Sequence, residues 1–305
     1  MKILITGGSG FLGGNLTHTS SNAQHEVGYT YYKHQVQILS AHPIRLDLLD
    51  ATTTKKEIKK FQPEVVFHCI GLANSDTCEI EPAVAQTINV DTTRNLVNAL
   101  RGSEIRLIYI STDCLFDGKK SLYNEKDVPR PINVYAKTKL EAEKIVLQHS
   151  NSVVVRTNFY GFAIQNEKHF GHWLYSKLKN KKEVPAFKDY FFTPLMVNNL
   201  CDALLELIGH DFRGITNLSS PDRCSRFEFA NEFAAQLGFS QELIKPTALE
   251  DGKLIAPRPP NCSLSNALAK SLLRTKLLPV SEGIALYKKL LELGYPEKLQ
   301  SFRKK

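Results

Sequence analysis

Short apolar runs alternate along the first half of the chain with longer stretches in which apolar residues recur every three or four positions. Met1 to Thr6, Glu26 to Tyr32, Ile44 to Asp47, Glu64 to Cys69, Arg106 to Ser111 and Val153 to Arg156 are rich in β-branched and aromatic residues. Each is four to seven residues long, the length of a strand. Between them, residues 53–61, 82–101 and 135–149 carry helical spacing. Strand and helix in turn predict an α/β fold: a doubly wound parallel sheet that takes its ligands beyond the carboxyl ends of the strands.

The first of these runs leads straight into Gly7-Gly8-Ser9-Gly10-Phe11-Leu12-Gly13, and Gly14-Asn15-Leu16-Thr17 can open a helix behind it. Gly7 permits the tight turn, Gly10 lets the backbone approach a pyrophosphate, and Gly13 allows helix and strand to pack closely, with the anion on the helix N-terminus. This makes the sheet Rossmann-type and its ligand a dinucleotide. The acidic residue that would bind a ribose 2′-hydroxyl is expected about 20 positions past the glycines. There the chain reads Tyr31-Tyr32-Lys33-His34. Lys33 can pair with a 2′-phosphate, so the expected cofactor is NADP(H), with NAD(H) left open.

Beyond residue 158 the alternation breaks. Residues 159–192 are aromatic, basic and irregular, 194–208 read as a helix and 214–218 as a late strand. Residues 225–300 read as helical, interrupted at Ala256-Pro257-Arg258-Pro259-Pro260. The expected organisation is a Rossmann domain over 1–158, to which 194–219 return, and a smaller mixed C-terminal substrate-binding domain built from 159–193 and 220–305.

Composition narrows the picture. A chain of 305 residues with 42% hydrophobic content can bury a sizeable core. No stretch reaches the roughly 20 apolar residues of a membrane span, so a cytoplasmic location is expected. The net charge of +8 is dispersed over Lys55-Lys56, Lys59-Lys60, Lys179 to Lys182 and Arg303-Lys304-Lys305. Without interleaved aromatic residues, that pattern favours small anionic ligands over nucleic acid. The six cysteines, Cys69, Cys78, Cys114, Cys201, Cys224 and Cys262, include no C-x-x-C pair and read as small apolar residues. His169 and His172 with Trp173 read as packing, and no metal site is expected.

Candidate chemistry lies at Tyr135-Ala136-Lys137-Thr138-Lys139. On a helix Tyr135 and Lys139 share one face. A free phenol titrates near ~10, and a neighbouring ammonium lowers that value. The pair is a candidate proton donor for carbonyl chemistry.

Glycine turn, Ser111-Thr112-Asp113 strand end and Tyr-x-x-x-Lys helix together resemble the extended short-chain dehydrogenase/reductases. Within them the chain is most similar to dTDP-4-dehydrorhamnose reductase and its relatives. The match is carried by Ser111-Thr112-Asp113-Cys114-Leu115-Phe116-Asp117-Gly118, Glu125-x-Asp127-x-Pro129-x-Pro131 and Tyr135 to Lys139. Asp76-Thr77-Cys78-Glu79-Ile80-Glu81-Pro82, Asn89-Val90, Thr193-Pro194 and Arg258-Pro259 extend it. The resemblance implies that Tyr135 donates the proton to a keto oxygen, Lys139 holds the nicotinamide ribose and lowers the Tyr135 pKa, and Thr112 hydrogen-bonds the reacting oxygen. It implies that Asp113 orients a substrate hydroxyl and Arg258 draws the diphosphate of a nucleotide-sugar. It further implies cofactor contacts at Gly7, Ser9, Gly10, Phe11, Leu12, Gly13, Lys33, Asp47, Leu48, Ile70 and Gly71, with Asp47 at the adenine amine.

Three departures stand out. Ala136 replaces a frequent Gly, Cys114-Leu115 replace a more usual Tyr-Val, and His68-Cys69-Ile70-Gly71 replace an Asn-Ala-Ala-Ala-like stretch. Ala136 is sterically acceptable in a helix and should have little effect, Cys114 and Leu115 are not expected to touch the proton transfer, and the stretch at 68–71 bears on how the nicotinamide packs. Relatives also pair the helices at 82–101 and 135–149 into a homodimer, for which Ala83, Val84, Ile88, Leu96, Val97, Leu140, Ile145 and Val146 are candidates. Two alternatives to the reductase remain. One is a cofactor-binding regulatory subunit resembling the methionine adenosyltransferase beta subunit. The other is a sugar-nucleotide epimerase, which usually has an acid after the second strand that this chain lacks.

Overall fold

In the computed structural model, which describes residues 1–165 and 169–303, the six apolar runs become strands. They are β1 (Lys2–Thr6), β2 (Glu26–Tyr31), β3 (Ala41–Arg45), β4 (Val65–His68), β5 (Arg106–Ile110) and β6 (Ser152–Thr157). β11 (Gly214–Leu218) joins them from far along the chain, beside β6. All seven are parallel, in the order β11-β6-β5-β4-β1-β2-β3. The order reverses between β1 and β4, which opens a crevice at their carboxyl ends. Lys304 and Lys305 of the terminal basic cluster lie outside the described residues.

Period-2 alternation explains why these strands read as continuous apolar runs. Ile3, Ile5, Val65, Phe67, Ile108, Val153 and Val155 face one core, while Leu4, Val66, Leu107, Tyr109 and Val154 face a second. Both faces are covered, as a parallel sheet requires. α1 (Phe11–Asn22) brings Leu16 to the first core. On the other face α2 (Ala51–Phe61) brings Ile58 to the second. β3 lies earlier than the sequence predicted. It is an edge strand, so its exposed His42 and Pro43 need no apolar alternation.

The single helix expected over 82–101 is divided. α3 (Ser75–Ile80) precedes α4 (Pro82–Gln86), a π-helical turn spans Thr87–Asp91, and α5 (Thr92–Leu100) completes the run. The π turn carries Asn89, whose side chain accepts from Leu72 N at 2.7 Å and donates to Thr138 Oγ1 at 2.9 Å. Thr138 lies on α6 (Val134–Val146). Of the eight proposed dimer-face residues, Leu96, Val97, Ile145 and Val146 are buried in the sheet's second core, and Ala83 and Val84 are exposed.

The second half is more varied than the helical reading. β7 (Phe159–Tyr160), α7 (Phe170–Lys179), β8 (Val184–Phe187) and β9 (Phe191–Phe192) fill the irregular segment. β10 (Leu195–Met196), beside β7, takes the start of the helix expected from 194 and leaves α8 (Val197–Ile208). β12 (Cys224–Ser225) pairs with β9, α9 (Arg226–Gln236) follows, and β13 (Ile244–Thr247) pairs with β8. α10 (Ala267–Leu272), α11 (Val280–Glu292) and α12 (Tyr295–Gln300) close the chain. Leu200 and Leu204 of α8, Phe229 and Phe233 of α9 and Ile284 of α11 share one core with β1. Among the described residues, no helix is long and apolar enough to cross a membrane.

One ion pair locks α6 to the sheet. Arg156 on β6 donates from Nε to Glu143 Oε1 at 3.0 Å and from Nη2 to Oε2 at 2.7 Å, with both side chains 2% exposed. Ser111, just past β5, donates to the same carboxylate at 2.6 Å. Removing one partner of a buried pair strands the other charge. Arg156→Met should therefore lower the unfolding free energy in urea by about 3–5 kcal/mol; a change below about 1 kcal/mol, the scale of a surface pair, would show that the lock is not needed.

Candidate active site

Three chain segments meet at the crevice: those that follow β1, β4 and β5. After β1 the chain turns at Gly7, whose φ is +70°, and Gly10 N donates to Gly7 O at 3.0 Å. A Cβ on Gly13 would collide with the Gly7 carbonyl oxygen, the close packing of helix on turn that the spacing predicted. No side chain caps α1, so its first-turn amides are available to an anion. Phe11 and Leu12 are buried, and Phe11 stacks on His169 with ring centroids 4.1 Å apart, so both offer the crevice their amides rather than their side chains. Ser9 is half-buried in the same turn.

Ile70 lies against Gly7, its Cγ1 3.0 Å from where a Cβ would stand. Gly71 is open, with Asn89 Oδ1 and Lys139 Nζ 3.3 and 3.8 Å from its own Cβ position. His68 is fully buried between Thr6 Oγ1 at 2.7 Å and Thr93 Oγ1 at 3.0 Å, and burial holds it neutral, its pKa lowered to about 3. Further out, Lys33 is exposed, its ammonium 5.8 Å from the Tyr32 ring. Asp47 accepts Leu49 N at 3.0 Å as a turn carboxylate, beside buried Leu48.

Tyr135, Lys139 and Glu143 follow one another at four-residue steps along one face of α6. Asn133 caps the helix by accepting Ala136 N at 2.8 Å, and Glu79 accepts Val134 N at 3.0 Å. Lys139 Nζ donates to Ile110 O at 2.7 Å and sits 4.1 Å from the Tyr109 ring centroid. Burial drives its pKa down to about 7, against the opposing pull of Glu143 and Cys69.

Tyr135 corrects an expectation. A lysine-lowered phenol was predicted, yet burial, then the negative charge of Cys114, raises it above its ordinary value, and a hydrogen bond with Thr112 only partly offsets the rise. The phenol keeps its proton, the form a donor needs. Thr112 Oγ1 is 3.2 Å from Asp113 Oδ1 and accepts Cys114 N at 3.2 Å. Asp113 is buried, accepts Asn158 Nδ2 at 2.9 Å, and is raised well above the usual carboxylate range, first by burial and then by Cys114. Cys114 thus bears on the electrostatics of both Tyr135 and Asp113.

An aromatic cavity of about 240 Å³ adjoins these groups, lined by Trp173, Phe187, Tyr190, Arg226, Leu254 and Arg258 among others. Tyr190 and Phe187 pack with Tyr135 and Cys114 in one apolar cluster, which connects the cavity to the phenol. Arg226 stands 3.8 Å from the Phe192 ring centroid and 4.2 Å from that of Phe170. Arg258 faces the cavity too, but pairs with Asp76 at 2.9 Å and donates to Ala256 O at 2.7 Å. Arg226, Tyr190 and Asn158 were not found from the sequence. An arginine at the start of an aromatic helix was the one signal available.

A parallel sheet with a glycine turn at its switch point and a Tyr-x-x-x-Lys helix beside it defines the short-chain dehydrogenase/reductase class. The family model described as the RmlD substrate binding domain matches residues 1–292, and the chain belongs to that family. The crystal structure of a hypothetical dTDP-4-dehydrorhamnose reductase from Sulfolobus tokodaii is 33% identical, with a TM-score of 0.81 over 91% of this chain and 97% of that one. Methionine adenosyltransferase 2 subunit beta of Bos taurus is 29% identical over 293 residues, 93% of this chain and 86% of the relative. The probable low-salt glycan biosynthesis reductase Agl14 of Haloferax volcanii is 26% identical over 264 residues, 85% of this chain and 88% of the relative.

The lowered Lys139 pKa carries a stability consequence. Below about pH 7 the ammonium is protonated in the folded and the unfolded chain, and its burial penalty is complete. Between about 7 and the ordinary value of 10.5 the unfolded chain binds more protons, so stability contributed by this site rises with pH. In urea titrations wild type should gain on Lys139→Met across that interval and track it below; parallel curves throughout would show that the ammonium is not desolvated.

Proposed function

We propose that the protein is an NAD(P)-dependent reductase that reduces the 4-keto group of a nucleotide-linked 6-deoxysugar, as in dTDP-L-rhamnose synthesis. The observation that carries this reading is the protonated Tyr135 phenol, beside the Thr112 hydroxyl and one turn from Lys139, where the crevice meets the aromatic cavity. The uncapped start of α1 and the open backbone at Gly71 fit a dinucleotide, with its pyrophosphate on the Gly10–Gly13 amides and its nicotinamide ribose against Lys139. The bound nicotinamide supplies the hydride. Negative charge then develops on the keto oxygen, where Thr112 donates a hydrogen bond and Tyr135 gives up its proton. Asp113 faces the sugar hydroxyls, and the apolar cavity walls exclude water. The sugar diphosphate is drawn by Arg226 and Arg258. The cofactor is NADP(H) by preference, because Lys33 stands where a carboxylate would otherwise repel a 2′-phosphate; NAD(H) is the weaker ligand.

With NADPH and dTDP-4-keto-L-rhamnose, the absorbance of reduced nicotinamide should fall. Tyr135→Phe should slow that loss by on the order of 10²- to 10⁴-fold while leaving NADPH binding intact, and activity within about threefold of wild type would remove Tyr135 from the role of acid. In titrations NADPH should bind more tightly than NADH, and Lys33→Ala should close the gap; equal affinities in the wild type would sink the assignment of Lys33. Arg258→Ala should raise KM for the nucleotide-sugar and spare NADPH affinity. A second reading, a regulatory subunit, is favoured by the 29% identity to the methionine adenosyltransferase beta subunit. It takes over if no nucleotide-linked ketosugar is turned over and the protein instead changes the kinetics of a methionine adenosyltransferase.

A further inference from the structure

We infer that Cys114 and Cys262 are a thiol-oxidation site, which a hydroperoxide converts to an intramolecular disulfide in the wall of the candidate active site. The two residues are 148 positions apart in sequence, yet Cys262 Sγ donates to Cys114 Sγ at 3.7 Å. Closing that gap to a disulfide takes an approach of roughly 1.7 Å. Neither residue belongs to a helix or to a strand of the seven-stranded sheet.

Their surroundings divide the labour. Cys114 Sγ is 3.3 Å from Asp113 Oδ1 and 3.8 Å from the Tyr190 hydroxyl, which lies 3.6 Å from Cys262 Sγ. The hydrogen bond from Cys262, then those with Asp113, Tyr190 and Thr112, pulls Cys114 down against the effect of burial, while burial pushes Cys262 up. Cys114, 9% exposed against 0% for Cys262, is the nucleophile and Cys262 the resolving thiol. Tyr190 touches both sulfurs and lines the aromatic cavity, which brings that cavity within one side chain of the thiols.

The chemistry balances. Cys114 loses its thiol proton and attacks one peroxide oxygen, the O–O bond breaks, and the other oxygen takes up that proton and leaves as water or an alcohol, so that Cys114 becomes a sulfenic acid. Cys262 sulfur then attacks Cys114 sulfur, the S–O bond breaks, and the departing hydroxide takes the Cys262 proton as water. Two thiols lose two electrons and one hydroperoxide gains them. Because Thr112 and Asp113 immediately precede Cys114, the closure draws on the same strand end that faces Tyr135.

The test uses the full chain, hydrogen peroxide and peptide mapping by mass spectrometry. None of its readouts depends on turnover, so it stands apart from the reductase reading. A peptide crosslink between Cys114 and Cys262 is expected, with the thiols titrated after denaturation falling by two from six and returning with dithiothreitol. Cys262→Ser should stop at a Cys114 sulfenic acid that dimedone traps, and Cys114→Ser should yield no crosslink and no trapped adduct at Cys262. Wild-type protein that keeps six thiols overturns the inference, as does oxidation confined to Cys69, Cys78, Cys201 or Cys224. The wild-type map decides even if a variant fails to fold.

Discussion

A guanidinium and a carboxylate closed away from water fix the register of everything near the Tyr135 phenol. Arg156 reaches Glu143 with two nitrogens from β6, and Ser111 reaches the same carboxylate from the end of β5. Glu143 is one helical turn from Lys139 and two from Tyr135, so holding it sets the rotation of α6. Ser111 precedes Thr112 and Asp113, so holding it sets the strand end opposite. Burying two charges costs more than a surface pair returns. What the pair provides is position: one carboxylate aligns the helix that carries the phenol and ammonium with the strand end that carries the hydroxyl.

Other residues of the family pattern act in the same way. Asp76 accepts the amides of Ile255 and Ala256 and pairs with Arg258, so it moors the Pro-rich loop over the site. Glu79 accepts an amide at the start of α6, Asn89 links the loop after β4 to α6, and Glu125 accepts Asn217 N at 2.9 Å, at β11. Each of these side chains ties together segments that border the crevice. Such ties depend on the crevice being assembled and not on which molecule occupies it.

Features encoded in a few neighbouring residues were legible in the sequence. The glycine turn, the central strands and the shared face of Tyr135 and Lys139 depend on period and on local sterics. What escaped depends on chain brought from afar. The π turn at 87–91 accompanies a bond from Asn89 to Thr138, 49 residues away. β10 exists because β7 pairs with it. Cys114 and Cys262 read singly as small apolar residues, and only folding makes them a pair. The protonation of Tyr135 failed for a related reason: the sequence supplies the neighbouring lysine but not the burial that outweighs it.

Burial also bears on the choice between catalysis and regulation. A chain that only held a dinucleotide would need the glycine turn and the Lys139 ammonium. It would not need Asp113 forced into a buried pocket, Thr112 turned toward a protonated phenol, or an aromatic cavity with two arginines leading to both. Each buried polar group works against folding unless its setting compensates. Perturbed groups gathered around one opening are a pattern of reactive sites rather than of scaffolds. These placements lie on the cavity side of Tyr135 rather than the cofactor side, and that is the surface on which the proposed reductase reading rests.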